Sequence, residues 1–232
     1  ASQWTTLLAR ITSAASHQSS SITSITNPSA GDTISAFTAL SGNIATIDTN
    51  RLNVHARDSI SETTITTTTT LTGTIEQRGT WAWGSEAQAR YFFNAGGQIR
   101  FQANLSNGSG GKDSDWASML AAMGTISMAS HATTQTGSGV PTAIGNFELT
   151  GTSQRIFHKL GTAYDYQNNM YQINARTLAD NIIEFDIQFQ DNADGGGDPN
   201  VTGDILSSIT HRRPSGTYVS VPSPTYNNTS EL

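Results

Sequence analysis

Strict alternation of apolar and polar residues over ten positions is the feature that most constrains the fold of this chain. Between Asn181 and Gln190, large apolar residues alternate with acidic and amide residues. Successive side chains of an extended strand point to opposite faces of a sheet, so this pattern predicts one buried face and one solvated face. It is typical of an antiparallel sheet packed on one side. The apolar positions are Ile183, Phe185, Ile187 and Phe189, and the polar positions are Glu184, Asp186, Gln188 and Gln190.

Several other segments predict short strands. From Glu62 to Arg78, positions that carry an apolar residue or a threonine alternate with positions that carry a further threonine, a β-branched residue that favours strands. Gly73 predicts a bulge or bend within this segment. Clusters of Gly, Asn, Asp and Pro separate the remaining candidates. Those candidates are Gln98–Leu105, Thr125–Ala129, Ile144–Thr150, Gln154–Lys159, Tyr171–Arg176, Ile205–His211 and Tyr218–Val221. We therefore predict a mainly β fold, an antiparallel β-sandwich or jelly-roll-like domain over residues 59–232.

Two short helices interrupt the predicted strands. The first runs from Ser85 to Asn94 and ends at Gly96-Gly97, because glycine accepts the left-handed conformation that commonly terminates a helix. The second runs from Asp113 to Met123, with Asp113 or Ser114 as its N-cap and Gly124 at its end. Its inward stripe comprises Trp116, Leu120 and Met123.

The first 58 residues predict a separate two-helix segment. Two apolar stripes recur at helical spacing, and Asp32 is a suitable N-cap for the second helix. The stripes comprise Trp4, Leu7, Leu8 and Ile11 in the first helix, and Phe37, Leu40, Ile44 and Ile47 in the second. Helices of this length are marginal alone, so their stripes need a partner. Two interpretations stay open here: an assembly or attachment region that contacts other subunits, or a helical hairpin packed on its own domain.

Composition and charge exclude several classes of function. Charged residues make up 13% of the chain, where globular proteins average about 25%, and Ser and Thr together supply about a quarter. A net charge of −6 disfavours nucleic acid as a partner, because binding to phosphates requires a basic surface. No apolar run reaches the roughly 18 residues of a membrane span, and the N-terminus lacks a signal-peptide pattern. We expect a protein made in the cytoplasm, with neither membrane nor cofactor as a partner.

One stretch carries a resemblance to known proteins. Tyr91, Phe92 and Phe93 are followed by Asn94, Ala95, Gly96, Gly97, Gln98, Ile99 and Arg100. This order resembles a signature of tail-associated structural proteins of phage virions, many from phages of cyanobacteria and other aquatic bacteria. The resemblance extends over residues 62–226, through Trp116–Ile126, the strand before Asp191, and the segment Gly216–Thr225. It implies a structural role in the virion and carries over no catalytic residue.

An enzymatic interpretation competes with this one. The segment Glu184-Phe185-Asp186-Ile187-Gln188 is similar to the Glu-x-Asp-x-Glu strand of one β-sandwich glycoside hydrolase family. Retaining glycosidases need two carboxyl groups at the scissile bond, one as nucleophile and one as general acid and base. Gln188 cannot transfer a proton, so we expect an amphipathic strand and no enzyme. The same strand remains a candidate for lining a glycan-binding groove.

The candidate metal sites are weak. Asp191, Asp194 and Asp198 lie in a glycine-rich loop with oxygen ligands that suit Ca²⁺, although their spacing does not match an EF-hand. The alternative is a hairpin loop. The five histidines are dispersed, without a pair at i, i+2 or i, i+4, which disfavours zinc. The glycines before Lys112 lack the spacing of a phosphate-binding loop and predict a surface turn.

These observations predict a structural subunit of a bacteriophage virion, in the tail, the baseplate or a fibre, that acts by oligomeric packing. Its partners would be copies of itself, forming a trimer in the case of a fibre module, and other virion proteins. One alternative is a capsid decoration protein. Another is a module that binds host surface glycans, with exposed Trp81 and Trp83 stacking on sugar rings. If instead those tryptophans are buried, we expect one in the core and the other packed near Tyr91.

Overall fold

A computed structural model describes residues 2–18, 20–27, 37–50, 57–67, 71, 73–193, 198, 200–214 and 221–230. The chain divides into two compact units, Ala1–Asp58 with Pro214–Val221, and Ser59–Arg213 with Pro222–Leu232. We call them the helical unit and the β unit. None of the described helices is both long enough and apolar enough to cross a membrane.

Four helices and eleven strands make up the described chain. The helices are α1 (Ser2–His17), α2 (Phe37–Thr49), α3 (Glu86–Asn94) and α4 (Gly111–Met123). The strands are β1 (Arg57–Thr67), β2 (Thr74–Ala82), β3 (Gln98–Ser106), β4 (Ile126–Met128), β5 (Thr133–Gln135), β6 (Val140–Pro141), β7 (Gln154–Leu160), β8 (Met170–Ala179), β9 (Ile182–Gln190), β10 (Asp204–Pro214) and β11 (Thr225–Ser230).

The strands form two antiparallel sheets, which confirms the predicted fold class. One sheet has five strands in the order β1-β10-β3-β4-β5. The other has six strands in the order β11-β2-β9-β8-β7-β6, and β9 lies near its centre. Because β2 and β8 flank β9, residues more than a hundred positions apart pair directly, as Glu76 does with Gln188.

The two sheets pack through the apolar positions that the alternation predicts. Ile183, Phe185, Ile187 and Phe189 are all buried, and Phe185 meets Phe101 of the five-stranded sheet at a ring distance of 4.9 Å. Trp81 on β2 meets His211 on β10 at 5.0 Å in an edge-to-face arrangement. Aromatic rings in this geometry add to the free energy gained by burial.

The long strand predicted from Glu62 to Arg78 is two strands. β1 ends at Thr67 and β2 begins at Thr74, and each belongs to a different sheet. Between them, the buried Leu71 forms an isolated bridge with Val201. Gly73 has a φ of +85°, which glycine adopts without steric cost. The predicted bend at Gly73 therefore lies immediately before β2.

Not all of the remaining strands were predicted correctly. Ile144–Thr150 was predicted as a strand, and this is wrong, because a 3-10 turn occupies Asn146–Glu148 and Gly145 accepts no side chain beside His131 and Ala132. The strands β5, β6 and β11 were missed. Most of Tyr218–Val221 lies outside the described residues, and Val221 precedes β11.

Both inserted helices are present near their predicted positions. The Oγ atom of Ser85 accepts a hydrogen bond from the Gln88 amide at 3.3 Å and caps α3. For α4, the prediction of Asp113 or Ser114 as N-cap is wrong, because the helix begins earlier and its N-cap is Gly110. Asp113 instead occupies the third helical position, where its carboxylate accepts the Gly110 amide at 3.2 Å.

The aromatic cluster around His211 gives a pH-dependent contribution to stability. The side chain of His211 is 1% exposed and lies against Trp81 and Phe92. Burial, with a smaller effect from the charge of Arg213, lowers its pKa from 6.5 to about 4. The unfolded chain therefore binds a proton at a pH where the folded chain does not, so stability falls as the pH drops from 6.5 towards 4.

We expect this effect to amount to about 3 kcal/mol, at about 1.36 kcal/mol for each pKa unit. It is measured as the free energy of unfolding at several pH values, followed by tryptophan fluorescence, for the natural chain and for His211→Phe. The variant should lose that part of the decline between pH 6.5 and 4. Equal declines in the two proteins would show that His211 is not held neutral.

Candidate functional site

The segment that carries the phage signature forms the end of α3 and the start of β3. Phe92 and Phe93 are buried, and both rings lie near Trp83, at centroid distances of 5.2 and 5.4 Å. Tyr91 is 42% exposed and Asn94 is exposed. Arg100 is half-buried on the outer face of the five-stranded sheet. The signature therefore builds a helix-to-strand corner and brings no set of reactive groups together.

The local backbone geometry explains why each glycine of the signature is a glycine. Gly96 has a φ of +88°, and the amides of Gly96 and Gly97 donate to Phe93 and Phe92 carbonyls at 3.0 and 2.8 Å. These bonds close the end of α3. A Cβ at Gly97 would lie 2.5 Å from the Phe92 carbonyl oxygen and 2.6 Å from its ring, so only glycine fits there.

The two tryptophans proposed for stacking on sugars are not at the surface. Trp81 is fully buried between the sheets and Trp83 is 3% exposed. Trp83 packs on Phe92 and Phe93, the neighbours of Tyr91, as expected for the buried alternative. Neither ring presents a face on which a sugar stacks.

The polar residues of β9 lie on the solvent-facing side of the strand, as predicted, but each carboxylate has an arginine partner. Arg176 Nε lies 2.7 Å from the Glu184 carboxylate. Arg78 lies 3.6 Å from Asp186 and 3.2 Å from Glu76. The carboxylates of this face are therefore engaged in ion pairs with arginines of the flanking strands β2 and β8.

Gln188 lies at the centre of this face and satisfies both ends of its amide. Its Nε2 donates to Glu76 at 3.0 Å and to Asp186 at 2.9 Å. Its Oε1 accepts from Gln172 at 2.5 Å and from Gln190 at 2.7 Å. A carboxylate at this position would lack donors for its two acidic neighbours. The amide that breaks the glycosidase pattern is thus the group that the surrounding hydrogen bonds require.

The second polar cluster surrounds the start of α4, and sequence reasoning missed it. Lys112, predicted to lie in a surface turn, is 1% exposed and pairs with Asp191. Asp113 accepts amides of Thr202 and Gly203 at 2.8 and 2.9 Å. Burial alone would raise the pKa of Asp113, but the hydrogen bonds from Gly203, Thr202 and Gly110 outweigh it and hold the pKa below its usual value. The turn after β9 is therefore anchored to this helix.

The calcium hypothesis concerned the same loop. Asp191 faces the Lys112 ammonium, and Asp198 accepts the Gly111 amide at the N-terminus of α4. Asp194 lies outside the described residues. Within the described ranges, no three His, Asp or Glu side chains converge as metal ligands. The calcium site stays a prediction, and two of its three proposed ligands already have donors from the protein.

In the helical unit, buried amides join α1, α2 and residues 20–27. Asn43 accepts the Thr23 amide and donates to its carbonyl oxygen, both at 2.8 Å. Gln18 Nε2 donates to the Ile47 carbonyl oxygen at 3.0 Å. None of these three bonds was predicted, because a single amide residue gives no periodic signal.

The predicted assembly residues divide into two groups. Ile11 and Leu40 are buried between the elements of the helical unit, and Trp4, Leu8 and Ile47 are half-buried. The exposed fractions are 42% for Leu7, 64% for Phe37 and 50% for Ile44. A groove of about 220 Å³ lies beside Leu8, Ile11, Ile22, Thr23, Ile25 and Asn43.

Comparison with known proteins adds no relative: neither a protein-family model, nor a curated protein, nor a solved structure matches the chain.

We predict that Gly97→Ala destabilises the β unit. The added methyl group collides with the backbone and the ring of Phe92, and overpacking of this kind costs about 1–3 kcal/mol. Chemical unfolding followed by tryptophan fluorescence measures the change. Gly151→Ala is the matched control, because the nearest atom to its Cβ is 3.9 Å away. Equal free energies of unfolding for the two variants would contradict the account of the signature.

We also predict that Gln188→Glu is destabilising and creates no hydrolase. The variant restores the Glu-x-Asp-x-Glu order but removes two donors from Glu76 and Asp186 and adds a like charge, at a cost of about 1–3 kcal/mol. Gln102→Glu, an exposed position on the other sheet, is the control. Hydrolysis of a glycan panel by Gln188→Glu would contradict this interpretation.

Proposed function

We propose that this chain is a structural subunit of a bacteriophage virion, associated with the tail, the baseplate or a fibre, and that it acts by oligomeric packing. The assignment to a virion tail follows the resemblance over residues 62–226, and the observation that supports oligomeric packing is the apolar surface of the helical unit. Phe37 and Ile44 lie two helical turns apart on one face of α2 and are mostly exposed. In water such a face is unfavourable unless another surface covers it.

Charge supports an interface on this unit. Among its residues, α1 carries Arg10 and a histidine in its last turn, and α2 carries only Asp48. An interface that removes a helix from water costs least when few charges lose their hydration. Three of the seven large apolar side chains exposed among the described residues lie on these helices, namely Leu7, Phe37 and Ile44. Complete burial of side chains of this size contributes about 1.5–3 kcal/mol each.

The occupant that we propose is a second copy of the chain. Oligomers of one chain are usually closed and cyclic, so each copy both offers and receives the apolar face. A trimer is the expected form if the subunit belongs to a fibre.

The β unit supports a structural role as well. The carboxylates of its outer face pair with Arg78 and Arg176 and are interlinked through Gln188, so they serve ion pairing and hydrogen bonding within the sheet. The signature residues at the corner between α3 and β3 serve packing. The resemblance to tail-associated virion proteins rests on this corner and on the segments around it.

Sedimentation velocity of the full-length chain tests the proposal. We expect a concentration-dependent oligomer, and we expect the double variant Phe37→Ser with Ile44→Ser to be monomeric with an unchanged circular dichroism spectrum. Leu178→Ser with Val140→Ser is the matched control, because these β-unit side chains are equally exposed, at 50% and 52%. Dissociation by the control pair instead of the helical pair would move the interface to the β unit.

Location in the particle is a separate measurement. Antibodies against the chain, applied to purified phage particles and viewed by electron microscopy, should label the tail end. Labelling of the whole capsid surface would support decoration of the capsid instead. A chain that stays monomeric and is absent from purified particles would contradict the proposed function.

A further inference from the structure

Three polar side chains point into the space between the two sheets, one each from β2, β10 and β11. We call them the inner polar cluster, and its members are Gln77, Ser207 and Tyr226. Gln77 and Ser207 are fully buried, and both occupy inward positions of their strands. Tyr226 pairs directly with the buried Trp81 and so points to the same side of its sheet. The core of the β unit is therefore polar at this point.

Two aromatic contacts fix how β2 and β10 face each other across the core. Trp81 of β2 meets His211 of β10 at a ring distance of 5.0 Å. Phe185 meets Phe101 at 4.9 Å, and these two rings are the strand partners of the inward positions that precede Trp81 on β2 and His211 on β10 by two residues. The two strands therefore run in the same direction and stay level with each other.

One further inward step along each strand leads to Gln77 on β2 and to Ser207 on β10. Inward positions recur at every second residue, so these two side chains face each other across the sandwich. Facing sheets lie about 10 Å apart, and serine extends only one atom beyond its Cβ, which leaves a gap between the two side chains. The Gln77 Nε2 and Oε1 atoms and the Ser207 Oγ atom have no hydrogen-bond partner among the described residues.

Tyr226 brings a third polar group to the same place. Its ring lies 5.0 Å from that of Trp81, and its hydroxyl group lies over Gly79, the inward position between Gln77 and Trp81. A Cβ atom at Gly79 would come within 2.6 Å of the Tyr226 ring, so only glycine leaves room for it. Burial raises the pKa of Tyr226, and the nearby Gln77 side chain lowers it by a smaller amount. The hydroxyl group thus lies near Gln77, and within the described chain it makes no hydrogen bond of good geometry.

Buried polar atoms of this kind need a partner. In folded proteins they are bound by other protein groups or by ordered water, because the loss of water without replacement costs free energy. An internal water molecule typically makes about three hydrogen bonds. The inner polar cluster offers one amide and two hydroxyl groups, none of which is charged, and this set matches the donors and acceptors of a single water molecule.

We propose that the inner polar cluster is a binding site for an ordered water molecule. The water donates a hydrogen bond to the Gln77 Oε1 atom and accepts hydrogen bonds from the hydroxyl groups of Ser207 and Tyr226. It joins the edge strand β11 to β2 of its own sheet and to β10 of the other sheet. The half-buried ring of Tyr226 separates the site from solvent. All three residues belong to the β unit, so the site does not depend on the proposed function.

A crystal structure of the full-length chain at atomic resolution tests the proposal. We expect density for one water oxygen at about 2.7–3.2 Å from the Gln77 amide and from the hydroxyl groups of Ser207 and Tyr226. A direct hydrogen bond between Gln77 and Ser207, with no density between them, would overturn the proposal. Density for a group larger than water would overturn it as well.

Magnetic relaxation dispersion of the water oxygen nucleus is the matching measurement in solution, because it counts water molecules that stay bound for longer than the protein takes to tumble. We expect the double variant Gln77→Leu with Ser207→Ala to lose the contribution of one such molecule. Ile173→Leu is the matched control, since Ile173 is equally buried in the six-stranded sheet and the change conserves volume without touching a polar group.

The same count of bound water in the natural chain and in the double variant would contradict the proposal. A loss of equal size in Ile173→Leu would also contradict it, because the loss would then follow from repacking of the core. If the double variant does not fold, the crystal structure of the natural chain decides the question.

Discussion

The contact between the inner faces of the two sheets is the constraint on which the β unit depends. Phe185 meets Phe101, and Trp81 meets His211, so strands that are far apart in sequence become neighbours across one core. Because side chains alternate along a strand, burial of these residues forces the acidic and amide residues of β9 outward. The outer face must therefore satisfy its own charges, and it does so with arginines from the flanking strands. His211 also depends on this contact between the sheets, because burial beside aromatic rings keeps its imidazole neutral.

The parts of the fold that could be predicted from sequence are those with a local signal. The period of two in β9 identified its buried face, and the Ser85 cap of α3 and the glycines that end α3 and α4 located both helices to within a few residues. Ile144–Thr150 failed because three scattered apolar residues give no reliable period, and the chain forms a 3-10 turn at Asn146–Glu148 instead. The short edge strands β5, β6 and β11 were missed, since each is defined by the strand that it pairs with and hardly by its own composition.

The candidate sites were predicted to the same extent: residues with a local signal were identified, but their contacts were not. The sequence identified Gln188 as the residue that breaks a glycosidase pattern, but it did not indicate that Glu76, Gln172 and Gln190 bind this amide from three directions. Lys112 was placed in a surface turn because its local sequence is glycine-rich. Its partner Asp191 follows a strand 79 residues later, and burial of the pair depends on packing that no local pattern encodes. In the helical unit, the stripes were predicted, while the division into buried Leu40 and exposed Phe37 and Ile44 depends on tertiary packing.

We propose that assembly uses the surface of the helical unit, whereas the contacts within the β unit hold that unit together. Hydrogen exchange of the full-length chain at low and at high protein concentration tests this proposal most directly, because an interface slows exchange only where copies meet. We expect slower exchange at high concentration in residues 2–18 and 37–50, and concentration-independent exchange in β8 and β9. Concentration-dependent protection confined to β8 and β9, with the helices unaffected, would contradict it.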